Sequence, residues 1–589
     1  MKLTFTKSFA DLADLLTPLG GTWDDSQLRK KVLRHEGGVL NWYETTGTIS
    51  FQGPEEASKL LEAKVKNLLY PSEFPIPKSD NAKAEVPESA EEQAIDIESS
   101  PSEKYLSGKF ENSELIIGLV SAVGTETSRV ITPLSDRLTR FGYKVVVIKL
   151  SSLLVQPDSS RGEYHRIKEL MKAGDDLREK EGNNGILAYG ASKLIMQSRP
   201  SSDGKTAYIV NSLKHPDEVE VLRKIYGQGF YLFGVHADKK RRLHYLEQDK
   251  GLTATQAAEL TEVDEDEKLA HGQRTRDTYH LADFFLNFGK NDDQVKNTVQ
   301  RFLELIFSHP FKNPTFDEFA MFMAFSSSVR SGDLSRQVGA VITHNQQILA
   351  TGANECPASG GGLYWAEIDP ESGIVKDVQD GKDYTRNEDS NRAEQNEIIR
   401  GILDGISRLE GVGSDVLGGV ESQLKQSRIR DLTEFGRVVH AEMEAILSCA
   451  REGISCIGGT LYCTTFPCHN CAKHLIAAGI IRVVYVEPYP KSKALDFHSE
   501  SIELRTSIEA GAITEQVIFE PFTGVGARRF LDLFSMNLGV GNKLRRKDSD
   551  GNAVSWEQSN ALPRVALLPE SYRNVESSAA ALFDRAGGA

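Results

Sequence analysis

The 589-residue sequence has no long apolar run, few cysteines and no excess of positive charge. None of its apolar runs approaches the roughly 18–20 residues that a membrane-spanning helix needs. The opening stretch MKLTFTKSFADLADLL alternates apolar and polar side chains, unlike a signal peptide. A formal net charge of -15 disfavours a broad surface for duplex nucleic acid, because such surfaces are basic. We therefore expect a cytoplasmic protein with no membrane partner.

Cysteine is scarce and unevenly placed, since all six cysteines lie in the C-terminal half of the chain. They are Cys356, Cys449, Cys456, Cys463, Cys468 and Cys471. In a reducing compartment structural disulfides are disfavoured, and metal binding or burial is the usual fate of a cysteine. The pair in TTFPCHNCAK, Cys468 and Cys471, is therefore expected to bind a metal.

The N-terminal residues 1–69 are predicted to form a small α+β module. The segment VLNWYETTGTISFQG (39–53) has the pattern of a β-hairpin, and a helix is predicted after it. Its aromatic residues lie near the basic segment 29–34, an arrangement that suits single-stranded nucleic acid. Aromatic side chains of a hairpin more often pack into its core, and we favour that interpretation. Residues 70–112, rich in proline, serine and acidic residues, are predicted to be a disordered linker.

A parallel-sheet domain is predicted over residues 113–305. Residues 114–150 follow a strand, glycine turn, helix, strand order, which is a βαβ opening. Buried strands are predicted at 206–213 and 229–237. With 39% hydrophobic residues, a chain of this length supports two or three such domains.

A second α/β domain is predicted over residues 306–540. It begins with a helix at 316–330, continues with two strands, and contains a long polar insertion at about 363–434. Helices and strands then alternate to RVVYVEPYP. Residues 541–589 show no strong pattern and are predicted to be a polar tail.

Two short motifs of this second domain carry the chemistry. In RVVHAEMEAILSC the apolar positions after His440 follow helical spacing, so His440 lies at a helix start. Pro467 similarly precedes a helix whose first turn holds Cys468 and Cys471 on one face. The dipole at a helix N-terminus favours the thiolate form that binds zinc.

One imidazole and two thiolates are three protein ligands for Zn²⁺, which leaves a fourth tetrahedral position for water. Catalytic zinc sites have this arrangement, whereas structural sites take four protein ligands. Glu442, two residues after His440, is predicted to be the catalytic proton shuttle. A structural site would need a fourth ligand, such as Cys449, Cys456, Cys463 or His469, and would leave Glu442 without a role. H-x-E…P-C-x-x-C is the signature of zinc-dependent nucleobase deaminases.

The stretches VRSGDLSRQVGAVITHNQQILATGAN, HAE and TLYCTTFPCHNCAKHLIAAGIIRVVYV together resemble the deoxycytidylate deaminase branch of the cytidine-deaminase-like fold. The resemblance implies a three-layer α/β/α domain and a deoxycytidine nucleotide substrate. It further implies that Asn354 contacts the deoxyribose and that Arg330 lies near the phosphates. The chain departs from the usual PCNEC with PCHNC, so no role is assigned to His469.

The long insertion and the N-terminal half resemble a narrower group, the anti-phage dCTP deaminases, over residues 114–545. This resemblance implies a P-loop kinase-like domain before the deaminase domain, a homo-oligomer, and control by a nucleotide or RNA. Triphosphate recognition needs more cations than monophosphate recognition. The candidates for substrate binding are Lys491, Lys493, Arg528 and Arg529, although solvent exposure explains the two lysines equally well.

The stretch GLVSAVGTET (118–127) lies where a phosphate-binding loop belongs, but it is not a Walker sequence. Five residues separate its glycines, and Thr125 occupies the lysine position. Backbone amides at a helix start would still bind phosphate, so ATP or another nucleotide is expected here. The predicted contacts are Gly118, Gly124, Thr125, Glu126 and Thr127, with lid arginines from Arg241, Arg242, Arg274 and Arg276. Sensing is favoured over kinase activity, and a purely architectural role remains open.

The zinc signature and these resemblances together imply zinc-dependent hydrolytic deamination of dCTP to dUTP, which would deplete the dCTP pool as an antiviral (anti-phage) defence. The first alternative is a dCMP deaminase with a regulatory nucleotide-binding domain. The second is a cytosine deaminase of single-stranded nucleic acid, against which the acidic charge counts.

Overall fold

The computed structural model divides into two compact units, Met1–Ile97 and Glu98–Ala589. The structure describes these parts of the chain: residues 3–5, 7–27, 29–69, 101–155, 157–200, 204–265, 271–288, 292–409, 412–432, 434–486, 492–505 and 515–586. Most of the predicted linker 70–112 lies outside these ranges.

The N-terminal unit is a five-stranded antiparallel sheet with two helices. Its elements are β1 (Leu3–Thr4), α1 (Phe9–Leu16), β2 (Thr22–Gln27), β3 (Lys30–His35), β4 (Gly38–Tyr43), β5 (Thr48–Gln52) and α2 (Glu55–Leu69). The strand order is β1-β5-β4-β3-β2, and β4 and β5 form the predicted hairpin, which is confirmed. Trp42 is 1% exposed and donates its indole N–H to the Phe5 carbonyl, so it packs in the core of this unit.

The second unit contains a parallel sheet in which two of the inner strands have no exposed side chain. Its parallel strands are β6 (Leu115–Ser121), β7 (Lys144–Lys149), β8 (Thr206–Leu213), β9 (Phe230–His236) and β10 (Phe284–Asn287). They lie in the order β10-β9-β6-β8-β7. Every residue of β6 and β9 is buried, because helices cover both faces of the sheet. The predicted strands at 206–213 and 229–237 are confirmed.

The helices around this sheet are α3 (Pro101–Leu106), α4 (Ser128–Arg140), α5 (Glu163–Glu181), α6 (Ile186–Ser198), α7 (Pro216–Tyr226), α8 (Lys239–Gln248), α9 (Ala254–Glu265), α10 (Thr275–His280) and α11 (Asp292–Ile306). α4 and α11 share one apolar cluster with the sheet, and α6 and α7 share another. The sheet therefore lies between two layers of helix.

The second sheet is mixed. Its elements are α12 (Phe316–Ser328), β11 (Gly339–His344), β12 (Gln347–Ala353), α16 (Ala441–Arg451), β15 (Thr460–Cys463), α17 (His469–Ala477), β16 (Arg482–Tyr485), α18 (Ala494–Phe497), β17 (Ile502–Leu504) and β18 (Val517–Pro521). The strand order is β12-β11-β15-β16-β18-β17, with an antiparallel hairpin at one edge and parallel pairs from β15 onward. α12 packs on one face, and α16 and α17 pack on the other. This is the expected three-layer α/β/α arrangement.

The polar insertion between β12 and α16 is partly helical. It contains β13 (Glu367–Ile368), β14 (Val375–Lys376), α13 (Asp383–Arg386), α14 (Ser390–Ser407) and α15 (Ser414–Gln426). Of the helices in the described residues, none has the length and apolar character needed to cross a membrane.

The two sheets share structure across the predicted boundary at residues 305 and 306. A short strand from the predicted domain 306–540, β19 (Gly524–Val525), pairs antiparallel with β10 at the edge of the first sheet. Glu318 of α12 accepts hydrogen bonds from the Val525 amide and from Arg301 of α11. The helix α19 (Ala527–Phe534) stacks Phe530 on Phe322 of α12 at 4.2 Å between ring centroids. Both sheets therefore belong to one compact unit.

The C-terminal residues are folded, although the sequence shows no strong pattern there. The helix α20 (Pro569–Arg585) packs on α6 and buries Phe583 completely. Glu576 of this helix accepts hydrogen bonds from Tyr226 and from Arg199. Two of the buried residues of α20, Ala579 and Ala580, are small and a third, Glu576, is charged, so the apolar pattern of this helix is weak.

Gly352 allows α16 to approach the second sheet closely. A Cβ atom at this position would lie 2.0 Å from the Ala441 carbonyl oxygen, in the first turn of α16. Any larger residue would therefore push the start of this helix away from β12.

We expect Gly352→Ala to lower the free energy of unfolding by about 1–3 kcal/mol, the range typical of overpacked cores. Urea unfolding followed by circular dichroism measures this change. Gly401→Ala is the matched control, because Gly401 lies in α14 with no atom within 4 Å of its added Cβ. Equal stability of the Gly352→Ala variant and the parent would contradict the close approach.

Candidate active site

Two helix starts meet beside the second sheet. His440 immediately precedes α16, and Cys468 immediately precedes α17, each with an extended backbone. The Cys468 sulfur accepts a hydrogen bond from the Cys471 amide, as an N-cap residue does. Both side chains therefore lie at the positive ends of helix dipoles, as the sequence predicts.

The side chains of His440, Cys468 and Cys471 converge with the spacing of metal ligands. His440 Nδ1 is 3.5 Å from Cys468 Sγ and 3.4 Å from Cys471 Sγ. Zinc bonds of about 2.3 Å to sulfur and 2.0–2.1 Å to nitrogen, at tetrahedral angles, separate the two atoms by about 3.6 Å. All three ligand atoms lie within 4.8 Å of one another, so the cluster fits a tetrahedral zinc ion.

Cys449, Cys456 and Cys463, the cysteines that a structural site could have used, are not part of that cluster. Cys463 is fully buried in β15, and burial raises the pKa of its thiol. Within the described residues the cluster holds three ligands, and His469 instead contacts the edge of Phe497. The donor set therefore leaves one tetrahedral position open.

The two cysteines of the cluster share a hydrogen bond that shifts the pKa values of their thiols in opposite directions. The hydrogen bond from the Cys471 thiol, with a further one from His440, lowers the pKa of Cys468 to about 3. The same bond and burial raise the pKa of Cys471 well above its usual value. Cys468 is therefore a thiolate at neutral pH, which is the state that binds metal.

Glu442 lies in the first turn of α16 and is 3% exposed. Burial, reinforced by the negative charge of Cys468, raises the pKa of its carboxyl group. A carboxyl group whose pKa is raised toward neutral exchanges protons readily with a reacting group.

A cavity of about 300 Å³ opens beside this cluster. It is lined by Asp333, Leu334, Ser335, Arg336, Val338, Asn354, Asp383, Asp389, Asn391, Gly436, Val438, His440, Ala441, Glu442, Thr465, Phe466 and Cys468. Its volume suits a small organic molecule, with the cluster and Glu442 in its wall.

Asn354 lies in the wall of this cavity, at the end of β12. Its side-chain oxygen accepts a hydrogen bond of 2.6 Å from the Val338 amide, and its NH₂ group donates to the Arg336 carbonyl. The side chain therefore fixes the loop that carries Arg336 along the cavity.

The insertion supplies three lining residues that the sequence analysis did not single out. Asp383, Asp389 and Asn391 lie at the starts of α13 and α14, and Arg437 forms an ion pair with Asp383 at 2.9 Å. The run DYTRNEDSN, with several cap-forming residues, is the sequence signal for these helix starts. It contains no information on which cavity they face.

Arg330, expected near the substrate phosphates, is not among the lining residues. Its guanidinium carbon lies 3.4 Å from the ring centroid of Trp365, and it donates to the Tyr364 carbonyl. In this structure Arg330 holds the first residues of the insertion against the end of α12.

The other predicted phosphate contacts either do not line the cavity or lie outside the described residues. Arg529 is 1% exposed and donates to Gln228 and to the Phe230 carbonyl beside the first sheet. Arg528 lies exposed on the same helix, α19. Lys493 pairs with Asp496 at 2.8 Å, and Lys491 lies outside the described residues. Arg529 therefore has a structural role, which corrects its assignment as a substrate ligand.

The predicted nucleotide loop of the first sheet is bonded to its own chain. The Val123 amide donates to the Asp264 carboxylate, and the Thr125 and Thr127 amides donate to nearby carbonyl oxygens. Glu126 pairs with Arg129 and Arg241. A phosphate at this loop would meet the carboxylates of Asp264 and Glu126, which already accept from the Val123 amide and from the two arginines.

The two glycines of that loop have packing roles. Gly118 lies inside β6, where a Cβ would come within 2.8 Å of Leu213 and Phe230. Gly124 has a φ of +82°, and its Cβ would lie 2.8 Å from the Arg242 carbonyl oxygen. The proposed lid arginines include Arg242, which is itself buried, and Arg274, which pairs with Asp277.

The sequence of this chain is similar to those of known proteins. The family model "Cytidine and deoxycytidylate deaminase zinc-binding region" matches residues 314–487. The deoxycytidylate deaminase of Enterobacteria phage T4 is 32% identical over 171 residues, which cover 29% of this chain and 77% of that protein. ComE operon protein 2 of Bacillus subtilis (strain 168) is 36% identical over 107 residues, 18% of this chain and 52% of that protein.

Among solved structures, the dCMP deaminase from the cyanophage S-TIM5, in complex with dCMP and dUMP, has 20% sequence identity and a TM-score of 0.20. The match covers 36% of this chain and 100% of that one. The zinc-binding region and the extent of the phage T4 match establish the family: this chain belongs to the cytidine and deoxycytidylate deaminases.

Proposed function

We propose that this protein is a zinc-dependent hydrolase that deaminates the cytosine of deoxycytidine nucleotides, with dCTP as its main substrate and dUTP as product. The observation that carries the proposal is the three-ligand cluster of His440, Cys468 and Cys471 beside the buried Glu442. An open metal position next to a carboxyl group of raised pKa suits hydrolysis of an amidine.

Zinc held by the cluster would supply a Lewis acid that activates water at neutral pH. Glu442 accepts one proton of the attacking water and delivers it to the cytosine ring nitrogen. It then takes the second proton from the hydroxyl on carbon 4 and delivers it to the amine, which leaves as ammonia. Burial suits Glu442 to this shuttle, because the raised pKa lets the same group act first as base and then as acid.

Asn354 and Arg336 are the proposed substrate-positioning residues. Asn354 is held at its Oδ1 and by one N–H, which leaves its second N–H for a sugar hydroxyl. Arg336 is the basic side chain among the described residues that line the cavity, and it is our candidate for a substrate phosphate.

The choice between dCTP and dCMP depends on the phosphate contacts. The N-terminal half and the insertion resemble the anti-phage dCTP deaminases, and this supports the triphosphate as substrate. Deamination of dCTP would deplete a precursor of viral DNA. The names of the phage relatives support dCMP, and so does the single arginine beside Asp333, Asp383 and Asp389 in the cavity wall. dCMP deamination is therefore the second candidate function.

Glu442→Gln should lower kcat by at least about 10²–10⁴-fold, because the variant keeps the shape but cannot shuttle a proton. Its zinc content should equal that of the parent. An ammonia-release assay and elemental analysis measure the two quantities. Glu452→Gln, at the exposed C-terminal end of α16, is the control and should be fully active. Full activity of Glu442→Gln would remove the assigned role.

Cys468→Ser should lose both bound zinc and activity, since a serine hydroxyl is a poor zinc ligand at neutral pH. Cys456→Ser is the matched control, because Cys456 lies outside the cluster and its thiol donates to the Ala478 carbonyl at 3.6 Å. Elemental analysis of both purified variants tests this. Stoichiometric zinc in Cys468→Ser would contradict the ligand assignment.

Mass spectrometry after incubation with dCTP, dCMP and a cytosine-containing oligonucleotide should separate the candidate functions. We expect dUTP to form at least ten-fold faster, by kcat/KM, than dUMP. Faster dUMP formation would select the second candidate. Uracil that appears only in the oligonucleotide would reject both nucleotide substrates and leave a polynucleotide deaminase.

A further inference from the structure

A second cavity, of about 270 Å³, lies at the carboxyl ends of the parallel strands of the first sheet. Its lining residues are Val123, Lys149, Leu150, Ser151, Leu154, Arg166, Ile167, Leu170, Met171, Gly174, Arg178, Leu187, Asn211, Ser212, Lys214 and Gln273. They lie at or just after the carboxyl ends of β6, β7 and β8, belong to α5 and α6, or, for Gln273, precede α10. The cavity is distinct from the glycine loop interpreted above, with which it shares only Val123.

The position of this cavity follows from the topology of the sheet. The connection after β6 leads to β7 on one side, whereas the connection after β8 leads to β9 on the other side of β6. Adjacent strands whose connections leave in opposite directions open a crevice between their carboxyl ends, and open α/β sheets bind ligands there. β6 and β8 are such neighbours.

The chemistry of the lining has two parts. One part is apolar and comes from leucine, isoleucine and methionine side chains of α5, α6 and the segment after β7. The other part has four basic side chains and no acidic one: Lys149, Arg166, Arg178 and Lys214. A flat apolar body joined to an anionic group matches both parts.

Two polar atoms at the end of β8 lack a partner in the described structure. Asn211 Oδ1 and Ser212 Oγ are buried and form no hydrogen bond there. Arg178 is 1% exposed, lines the same cavity, and its Nε likewise has no hydrogen-bond partner among the described residues. Buried polar atoms without partners are rare in native proteins, and a bound ligand is one way to satisfy them.

The ion pairs around the cavity limit the charge of that ligand. Arg166 pairs with Glu163, and Lys214 pairs with Asp264. Arg178 pairs with both Asp175 and Glu218. Lys149, exposed at the end of β7, has no ion pair in the part of the chain that the structure describes. One uncompensated cation suits a monophosphate better than a triphosphate.

We propose that this cavity binds a nucleoside monophosphate, with the base in the apolar part, its polar edge on Asn211 and Ser212, and the phosphate at Lys149. This site is independent of the deaminase cavity and of the reaction proposed there. It gives the first sheet a ligand that the glycine loop, closed by Asp264 and Glu126, is not built to hold.

Gly174 offers a way to fill the cavity without removing a contact. It lies inside α5, and its added Cβ would be 3.6–3.9 Å from Arg178, Leu154 and Leu187, which all line the cavity. A leucine at this position would project among those side chains, and replacing a helical glycine favours the folded state. Gly174→Leu should therefore block binding and keep or raise the melting temperature, and Gly174→Ala is the milder variant.

Isothermal titration calorimetry of the full chain tests the proposal with AMP, GMP and dTMP, none of which is a cytosine nucleotide. We expect at least one to bind at least ten-fold more tightly than its triphosphate and than inorganic phosphate. Gly174→Leu should abolish this binding, and Lys149→Glu should weaken it at least ten-fold. Lys144→Glu, exposed at the opposite end of the same strand, should leave it unchanged.

Three results would overturn the site. The first is that none of the three monophosphates binds to the parent chain. The second is that binding persists in a folded Gly174→Leu variant. The third is that inorganic phosphate binds as tightly as the monophosphates. Should Gly174→Leu fail to fold, loss of binding in Lys149→Glu but not in Lys144→Glu still decides the question. Ammonia release from deoxycytidine nucleotides is not used, so failure of the proposed reaction would leave this test intact.

Discussion

The candidate chemistry depends on the close meeting of two helix starts. His440 and Cys468 lie at extended residues just before α16 and α17, so their side chains and the Cys471 sulfur come within ligand distance. This geometry requires α16 to lie close to β12, and at Gly352 of β12 there is no room for a Cβ atom. Because both helix dipoles point their positive ends at the cluster, thiolate and metal binding are favoured before any substrate arrives.

The residues of the cluster and Glu442 could be predicted from the sequence because the spacing within each of the two motifs is local, and a known signature joins the two motifs. A ligand at a helix start, a carboxylate two residues later and two cysteines in one helical turn need only the right helices. The arginines could not be assigned in this way. Arg529 donates to a carbonyl 299 residues away, and Arg330 stacks on Trp365 of the insertion. Tertiary packing, which periodicity does not describe, decides such partners.

The fold shows the same division between local and distant constraints. Strand and helix positions followed from hydrophobic periodicity, and 206–213 matches β8 residue for residue. The contacts that join the two sheets could not be predicted from this periodicity. They involve β19 and Glu318, which bonds to Arg301 and to the Val525 amide. Cutting the chain near residue 305 would leave the buried Glu318 without its arginine, a change that is strongly destabilising. Activity of an isolated C-terminal half would therefore report stability as well as regulation.

The first sheet is poorly suited to phosphoryl transfer. Such transfer needs a lysine and free amides around the phosphates, but Thr125 occupies the lysine position and Asp264 accepts the Val123 amide. Lys214, a cation beside this loop, also bonds to Asp264 and to the Ser121 carbonyl. The carboxylate of Asp264 therefore takes the place that a phosphate group would need, and the loop is stable without a ligand. The neighbouring crevice between β6 and β8, where the polar atoms without partners in the described structure lie, is still available for a ligand.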